Sequence, residues 1–448
     1  MKRWSLGYAA LKCYITLVHR IYYKKVFVQG KENIPANEPV IFAPNHQNAL
    51  MDALAVISTV NKQPVFLARA DMFKKKTTAK FLHFLKILPV YRMRDGIENM
   101  NRNEKIFRLS SEILNNNQAM GIMPEGNHGD KKQLRPLKKG LLHIAFQAQQ
   151  KYGDQPGVKI IPVGLDYSNY QKFRSTLFIN YGKPIEISTY WQEYQKDGKE
   201  ALHDLKKELG RELKDLMINI ESKEYYSAIL HSIIIYREKM AQKMKLNPKN
   251  PADLFKASKE IEKALNICCL EHKPELDELN GKLGTYSRCL EILNLRDWVM
   301  KENVNLSHFN ITLSFTLLIL SYPIFIYGII CNYLPFHIPV SIAKRIKDMQ
   351  FISSVQYGSS LITFPLYYLF LIGLLSSICG NILIILFFTL SLPLSGLFSF
   401  YYFCQYKKLL ARLKVMILSS KGNRSIRKLI DLRKEIITIL DTLTGHTA

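Results

Sequence analysis

Acidic residues are scarce in this 448-residue chain: 37 Asp and Glu stand against 62 Lys and Arg, a formal net charge of +25. An excess of that size marks a surface that meets nucleic acid or an anionic bilayer. Charge of either sign is nearly missing from residues 311–403, which hold only Lys344, Arg345, Lys347 and Asp348. The positive excess therefore lies outside an apolar block, which favours membrane lipids as partners and sets nucleic acid aside. The seven cysteines include no Cys-x-x-Cys pair, and Cys268 and Cys269 are adjacent. This excludes a disulfide framework and a zinc site, and a reducing cytoplasmic setting is the simplest reading. Also missing are Gly-x-Gly-x-x-Gly, a phosphate-binding Gly-rich loop before Lys-Ser/Thr, His-Glu-x-x-His and Gly-x-Ser-x-Gly. Nucleotide-dependent, zinc-peptidase and serine-hydrolase chemistries lose their usual signatures, and no metal or redox cofactor is implied.

The chain is long enough for two or three domains, and 48% hydrophobic content is ample for a core. Residues 1–24 carry Trp4, Tyr8, Leu11, Ile15, Val18 and Tyr22 at alternating steps of four and three, one apolar helical stripe. That stripe suits either the protein's own core or a membrane interface. Lys12, His19 and Arg20 interrupt the run, so it does not read as a signal peptide. From residue 25 to 190, short apolar runs alternate with helical patterns. Strands are expected at 25–30, 39–43, 65–68, 119–123, 158–165 and 177–185, and helices at 51–60, 101–115 and 141–150. This order predicts an α/β fold, a two-layer sandwich with a largely parallel sheet. Residues 191–305 read as a charged helical region, broken by Pro248 and Pro251. Residues 306–404 read as α-helical and membrane-embedded. Two uncharged stretches there, Asn303–Ala343 and Met349–Tyr406, each exceed the roughly 20 residues that cross a bilayer. Gly380-Asn381 divides the second into two spans. Pro323 leaves 311–333 as a kinked span or a re-entrant hairpin, and the hairpin would keep Lys344, Arg345 and Lys347 on the cytoplasmic side. Residues 405–448 form a basic amphipathic tail.

Between Glu38 and Asp71 the chain holds one carboxylate, Asp52, and one histidine, His46, in Ala43-Pro44-Asn45-His46-Gln47-Asn48-Ala49-Leu50-Met51-Asp52. A carboxylate beside an imidazole fixes its tautomer and steadies its cation, making a general base; a plain polar turn before a core helix fits the same residues equally well. Positions six apart point about 240° round a helix axis from each other. One unbroken helix therefore cannot join the pair. His46 must sit in the turn before a helix whose first turn carries Asp52.

Pro124-Glu125-Gly126 follows, then Leu134-Arg135-Pro136-Leu137-Lys138-Lys139-Gly140 and Ile160-Ile161-Pro162-Val163-Gly164, with Ile87-Leu88-Pro89-Val90-Tyr91-Arg92 between. These ordered blocks, over roughly residues 25–190, resemble the glycerolipid acyltransferase family. Its usual His-x4-Asp is lengthened by one residue here. Its Pro-Glu-Gly-Thr-Arg reads Pro124-Glu125-Gly126-Asn127-His128-Gly129-Asp130. Both departures resemble the fungal-type glycerol-3-phosphate acyltransferase branch.

The resemblance implies a membrane-bound O-acyltransferase of phospholipid biosynthesis, its catalytic domain facing the cytoplasm. It would move a fatty acyl group from acyl-CoA or acyl-carrier protein to glycerol 3-phosphate or 1-acylglycerol 3-phosphate. His46 and Asp52 would be catalytic. Arg92, Glu125, Gly126, Lys131, Arg135 and Lys138 would bind substrate, with Arg94, Lys132 and Lys139 as neighbours in the same basic supply. A plain turn at Gly126 and solvated lysines remain the alternatives. The density of cations favours glycerol 3-phosphate, a small dianion that must be drawn from solution. Other acceptors, including an aminolipid, and a non-catalytic membrane scaffold stay open, and the sequence is silent on oligomeric state.

Overall fold

A computed structural model describes residues 4–91, 100–301 and 307–445. The chain forms two compact units, Met1–Asn219 with Ile346–Tyr357, and Ile220–Arg345 with Gly358–Ala448.

The first unit opens with helix α1 (Leu6–Tyr22). There follow β1 (Lys25–Gln29), β2 (Val40–Pro44), α2 (Leu50–Ile57), β3 (Val65–Arg69), α3 (Lys76–Phe84), β4 (Ile87–Val90), α4 (Met100–Asn115) and β5 (Ala119–Gly121). Next come α5 (Gly140–Gln149), β6 (Lys159–Tyr167), β7 (Thr176–Tyr181), β8 (Ile185–Glu186), α6 (Trp191–Lys196) and α7 (Gly198–Leu216). The strands form one sheet in the order β1-β7-β6-β2-β5-β3-β4, with β8 beside the start of β6. Strands β2 to β6 run parallel, and among the described residues only the pairings of β6 with β7 and β8 are antiparallel. The expected strand over 177–185 is thus two pieces, parted at Gly182-Lys183-Pro184, where proline has no N–H for the ladder.

Strand β2 lies between β5 and β6, and all five of its residues are buried. That is why it reads as an unbroken apolar run rather than an alternation. Ile41 and Ala43 share a core with Leu114, Met120, Ile144, Phe146, Ile160, Trp191, Leu205 and Leu209, so α4 to α7 close over one face of the sheet. Helix α1 packs by its apolar stripe within this unit: Tyr8 and Tyr22 are buried, and the Lys12 ammonium donates to the Val60 and Lys62 carbonyls.

The second unit contains α8 (Tyr226–Lys243), α9 (Pro251–Glu271), α10 (Lys273–Ile292), α11 (His308–Ala343), α12 (Ile352–Ile378, its first turns in the other unit), α13 (Ile382–Ser420) and α14 (Arg424–Gly445). The basic tail helix α14 buries Ile426, Leu429, Ile436, Leu440 and Leu443 and packs on α8, α9 and α10. Arg433 Nε and the Tyr286 hydroxyl both donate to the Asp297 carboxylate, each at 2.8 Å.

Three helices, His308–Ala343, Met349–Ile378 and Ile382–Ser420, are long and apolar enough to cross a membrane. They present large apolar side chains outward, among them Phe309, Phe370 and Phe387. Exposure on this scale marks a lipid-facing surface, and these helices suggest membrane association. Residues 311–333 form no re-entrant hairpin: they lie within one continuous helix that carries Pro323, Pro335 and Pro339. In an apolar medium a chain reversal would strand several backbone polar groups, whereas a helix loses one bond per proline.

Helices α11 and α13 approach closely through small residues. A Cβ on Gly328 would collide with the Ser399 hydroxyl and the Ser395 carbonyl, and one on Gly396 with Asn332. Buried Asn332 donates to the Leu392 carbonyl (3.2 Å) and accepts from the Tyr368 hydroxyl (2.6 Å). Small residues and buried amides of this kind hold helices together in lipid, where apolar attraction between helices is weak. Gly328→Leu should therefore cost about 1–3 kcal/mol by overpacking. The expected result is a lower melting temperature of the detergent-solubilised protein, with an unchanged Leu320→Val control.

Candidate active site

The turn Asn45–Ala49 follows β2 at its carboxyl end, the usual site-bearing end of a parallel sheet. Asn45 extends the sheet with its side chain: Nδ2 donates to the Leu165 carbonyl (3.2 Å) and Oδ1 accepts from the Leu165 N–H (2.6 Å). His46 comes next, and Asp52 lies in the first turn of α2, the arrangement that the six-residue spacing requires. Ala49, just before α2, has φ 43° and ψ −119°, a conformation that L side chains rarely adopt.

His46 Nδ1 lies 2.9 Å from Asp52 Oδ2. The same oxygen accepts from the backbone N–H groups of Gln47 (2.9 Å) and Asn48 (2.7 Å), and Oδ1 accepts from the Tyr167 hydroxyl (2.6 Å). Asp52 is fully buried, so these donors replace its hydration. Its position at the start of α2 also suits a negative charge. A carboxylate at Nδ1 keeps the proton there and leaves the Nε2 lone pair to act as a base. The His46 ring remains partly exposed. This arrangement can take a proton from a hydroxyl and stabilise the resulting imidazolium.

Glu125 is buried, and both its oxygens are bonded to backbone: Oε1 to the His46 N–H (2.6 Å), Oε2 to the Arg135 N–H (3.1 Å). It ties the β2 turn to the loop after β5. Burial, opposed by those two N–H groups, lifts its pKa from an ordinary 4.5 to about 7. Gly126 has φ 69°, and a Cβ there would press on the Lys138 stem. The His46 carbonyl accepts from the Gly129 N–H (3.0 Å), a second tie between the two loops.

Of the remaining residues expected from sequence, Arg135 donates by Nη1 to the His128 carbonyl. Lys131 and Lys138 are exposed on the same loop, while the Lys132 ammonium pairs with Asp166. Arg92 and Arg94 lie outside the described residues.

Several residues of this site had no signal in the sequence. Tyr167 ends β6, far from any block in which a tyrosine would be sought. Residues 346–357, the connection after α11 and the first turns of α12, belong to the first unit. There Asp348 Oδ2 lies 3.4 Å from His128 Nε2, and the Phe351 ring packs against His128 at 4.7 Å. His128 in turn stands edge-on to His46, with ring centroids 5.5 Å apart. Burial lowers the His128 pKa, with Asp348 opposing. Ser353 donates to Asn48 Oδ1, and Ser354 Oγ accepts from the Leu50 N–H (3.2 Å).

Residues 25–166 match the family described as Acyltransferase. This segment is an acyltransferase-family domain. Among its relatives is glycerol-3-phosphate O-acyltransferase 1 of Saccharomyces cerevisiae, 25% identical over 200 residues, or 44% of this chain and 25% of that protein. Another is 1-acyl-sn-glycerol-3-phosphate acyltransferase alpha of Mus musculus, 26% identical over 155 residues, or 35% of this chain and 49% of that one. The matches thus span a quarter to a half of these relatives' lengths. The crystal structure of the 1-acyl-sn-glycerophosphate acyltransferase PlsC from Thermotoga maritima is similar over 44% of this chain and 79% of that one, with 21% identity and a TM-score of 0.31. The acyltransferase domain of this chain carries the His46–Asp52 pair and Glu125 within the matched residues.

Two predictions follow from this geometry. Tyr167→Phe removes one of four donors to a buried carboxylate and should destabilise the domain by about 1.5–3 kcal/mol, read by denaturant unfolding. Glu125 keeps its proton in the folded protein while the unfolded chain loses it. Its contribution is complete below about pH 4.5 and is lost as pH rises through about 7. The melting-temperature gap between wild type and Glu125→Gln should therefore narrow from pH 4.5 to 7.5; a constant gap would assign the carboxyl an ordinary pKa, and a widening one a depressed pKa.

Proposed function

We propose that the protein is a membrane-bound glycerolipid acyltransferase in which His46 is the general base. The observation that carries this reading is the short bond from His46 Nδ1 to fully buried Asp52 inside a segment of the acyltransferase family. The acceptor hydroxyl gives its proton to His46 Nε2 as its oxygen attacks the carbonyl carbon of an acyl thioester. The tetrahedral intermediate collapses, the carbon–sulfur bond breaks, and the imidazolium returns the proton to the departing thiolate. An ester and a free thiol result, with no covalent acyl-enzyme. Asp52 does not change protonation; it orients the ring and stabilises its cation.

The acceptor is glycerol 3-phosphate or its 1-acyl derivative, in phospholipid biosynthesis, with acyl-CoA or acyl-carrier protein as donor. Arg135, Lys131 and Lys138, on the loop that Glu125 joins to His46, would meet the acceptor phosphate, with Arg92 a further candidate. Relatives of both acceptor types match this chain. The cation density favours glycerol 3-phosphate, and so does the lengthened His46–Asp52 spacing. The catalytic domain would face the cytoplasm, in keeping with its basic surface.

His46→Ala should abolish thiol release from labelled acyl-CoA with either acceptor while the protein still binds membranes. Asp52→Asn should lower kcat by up to about ten-thousand-fold, as the same change does in a serine-protease triad. Retention of most activity by His46→Ala would remove the mechanism. Rates with the two acceptors, measured side by side, decide between them.

A further inference from the structure

Helix α7 carries His203, Lys206, Lys207, Arg211 and Lys214 toward the loop Leu134–Leu137, where they and Arg135 line a groove of about 550 Å³. No carboxylate lines it among the described residues, although Asp204, Glu208 and Asp215 lie on the same helix. Glu200 and Glu212 lie on it too, and Glu212 pairs with Arg211 at 3.2 Å from outside the groove lining. Leu134, Pro136, Leu137 and Gly210 supply the apolar remainder.

Gly210 is the second observation. Glycine within a helix lowers its stability relative to alanine. A Cβ here would meet its nearest neighbour, Leu137 Cδ1, at 3.8 Å, an ordinary contact. Gly210 lines the groove without a side chain, so Gly210→Leu would place bulk in it.

We infer that this groove binds the phosphate-bearing carrier of the acyl thioester donor, a nucleoside-diphosphate polyanion of the coenzyme A class; the inference rests on the acyl-transfer reading. The groove is open to solvent, and its volume is that of a small-molecule site. From His203 to Lys214 it follows the helix for about 16 Å, longer than a glycerol phosphate requires. It also begins beside the chemistry. The Arg135 N–H is held by Glu125, whose other oxygen holds the His46 N–H, and Arg135 Nη1 reaches the His128 carbonyl. A donor lying along α7 can therefore pass Arg135 and present its thioester at His46, leaving Lys131 and Lys138 for the acceptor.

The test uses the full-length protein in detergent with two kinds of variant, the double substitution Lys206→Gln/Lys207→Gln and the steric substitution Gly210→Leu. Coenzyme A binding is followed by calorimetry, and steady-state rates are measured with acyl-CoA and each acceptor. Both variants should raise the KM for acyl-CoA and weaken coenzyme A binding by about tenfold or more, as for two lost charge-assisted contacts. The acceptor KM and kcat should stay within about twofold, inside the spread of surface substitutions. Raised salt should weaken coenzyme A binding to the wild type more than to the double variant. Unchanged coenzyme A affinity in both variants would overturn the inference. So would a rise in acceptor KM alone, a defect confined to acyl-carrier-protein donors, or a loss only of binding to anionic-lipid vesicles. If the wild type releases no thiol with any acceptor, the acyl-transfer reading fails, and coenzyme A binding still tests the groove by itself.

Discussion

The first unit depends on one buried carboxyl group, that of Asp52. Asp52 lies beyond the reach of water, and its carboxylate is held by four protein donors: the His46 ring, two backbone N–H groups and the Tyr167 hydroxyl. An unpaired carboxylate in that position would cost several kcal/mol. Satisfying it requires the Asn45–Ala49 turn to curl so that Gln47 and Asn48 point inward, and it requires β6 to deliver Tyr167 alongside β2. The shape of the turn, the register of two neighbouring strands and the orientation of the imidazole are thus parts of a single solution. The positive φ at Ala49 is a local cost that this solution offsets.

Glu125 does for the second loop what Asp52 does for the first. Each is a buried carboxylate whose acceptors are saturated by backbone donors and neighbouring groups. The two differ in what they hold: Asp52 orients a side chain that can react, while Glu125 holds two stretches of backbone at a fixed separation. A Pro-Glu-Gly block therefore serves as a clamp in this chain. Its glycine supplies the left-handed turn that lets the loop return toward Lys138. In the second unit buried polar groups play a comparable part. Asn332 joins three helices through its amide, and the glycines and serines around it allow the backbones to approach.

Much of this was legible along the chain because local patterns report local geometry. Apolar run lengths placed β1, β2, β3, β5, β6 and β7 and the long apolar stretches of the C-terminal part, while β4 (Ile87–Val90) and α3 (Lys76–Phe84) were not read as elements. The six-residue step from His46 to Asp52 ruled out a shared helix and so predicted a turn followed by a helix start, as found. The continuity of α11 through Pro323 was not legible. A proline ends helices in water and only bends them where no solvent can take the freed carbonyl.

By itself the sequence determined the alternation of most strands and helices and the apolar character of the C-terminal helices, both written in the periodicity of nearby residues. The histidine–carboxylate pair stood out through the order of the blocks that follow it along the chain. Tertiary structure alone decided that Tyr167, 115 residues beyond Asp52, completes the carboxylate's shell. It also decided that Asp348 and Phe351 reach His128 from the connection between two long apolar helices. Finally, it decided that α7 turns its cations toward Arg135. Such contacts depend on strand register and on which helix face meets which loop, and those are set by packing of the whole core rather than by any short stretch of chain.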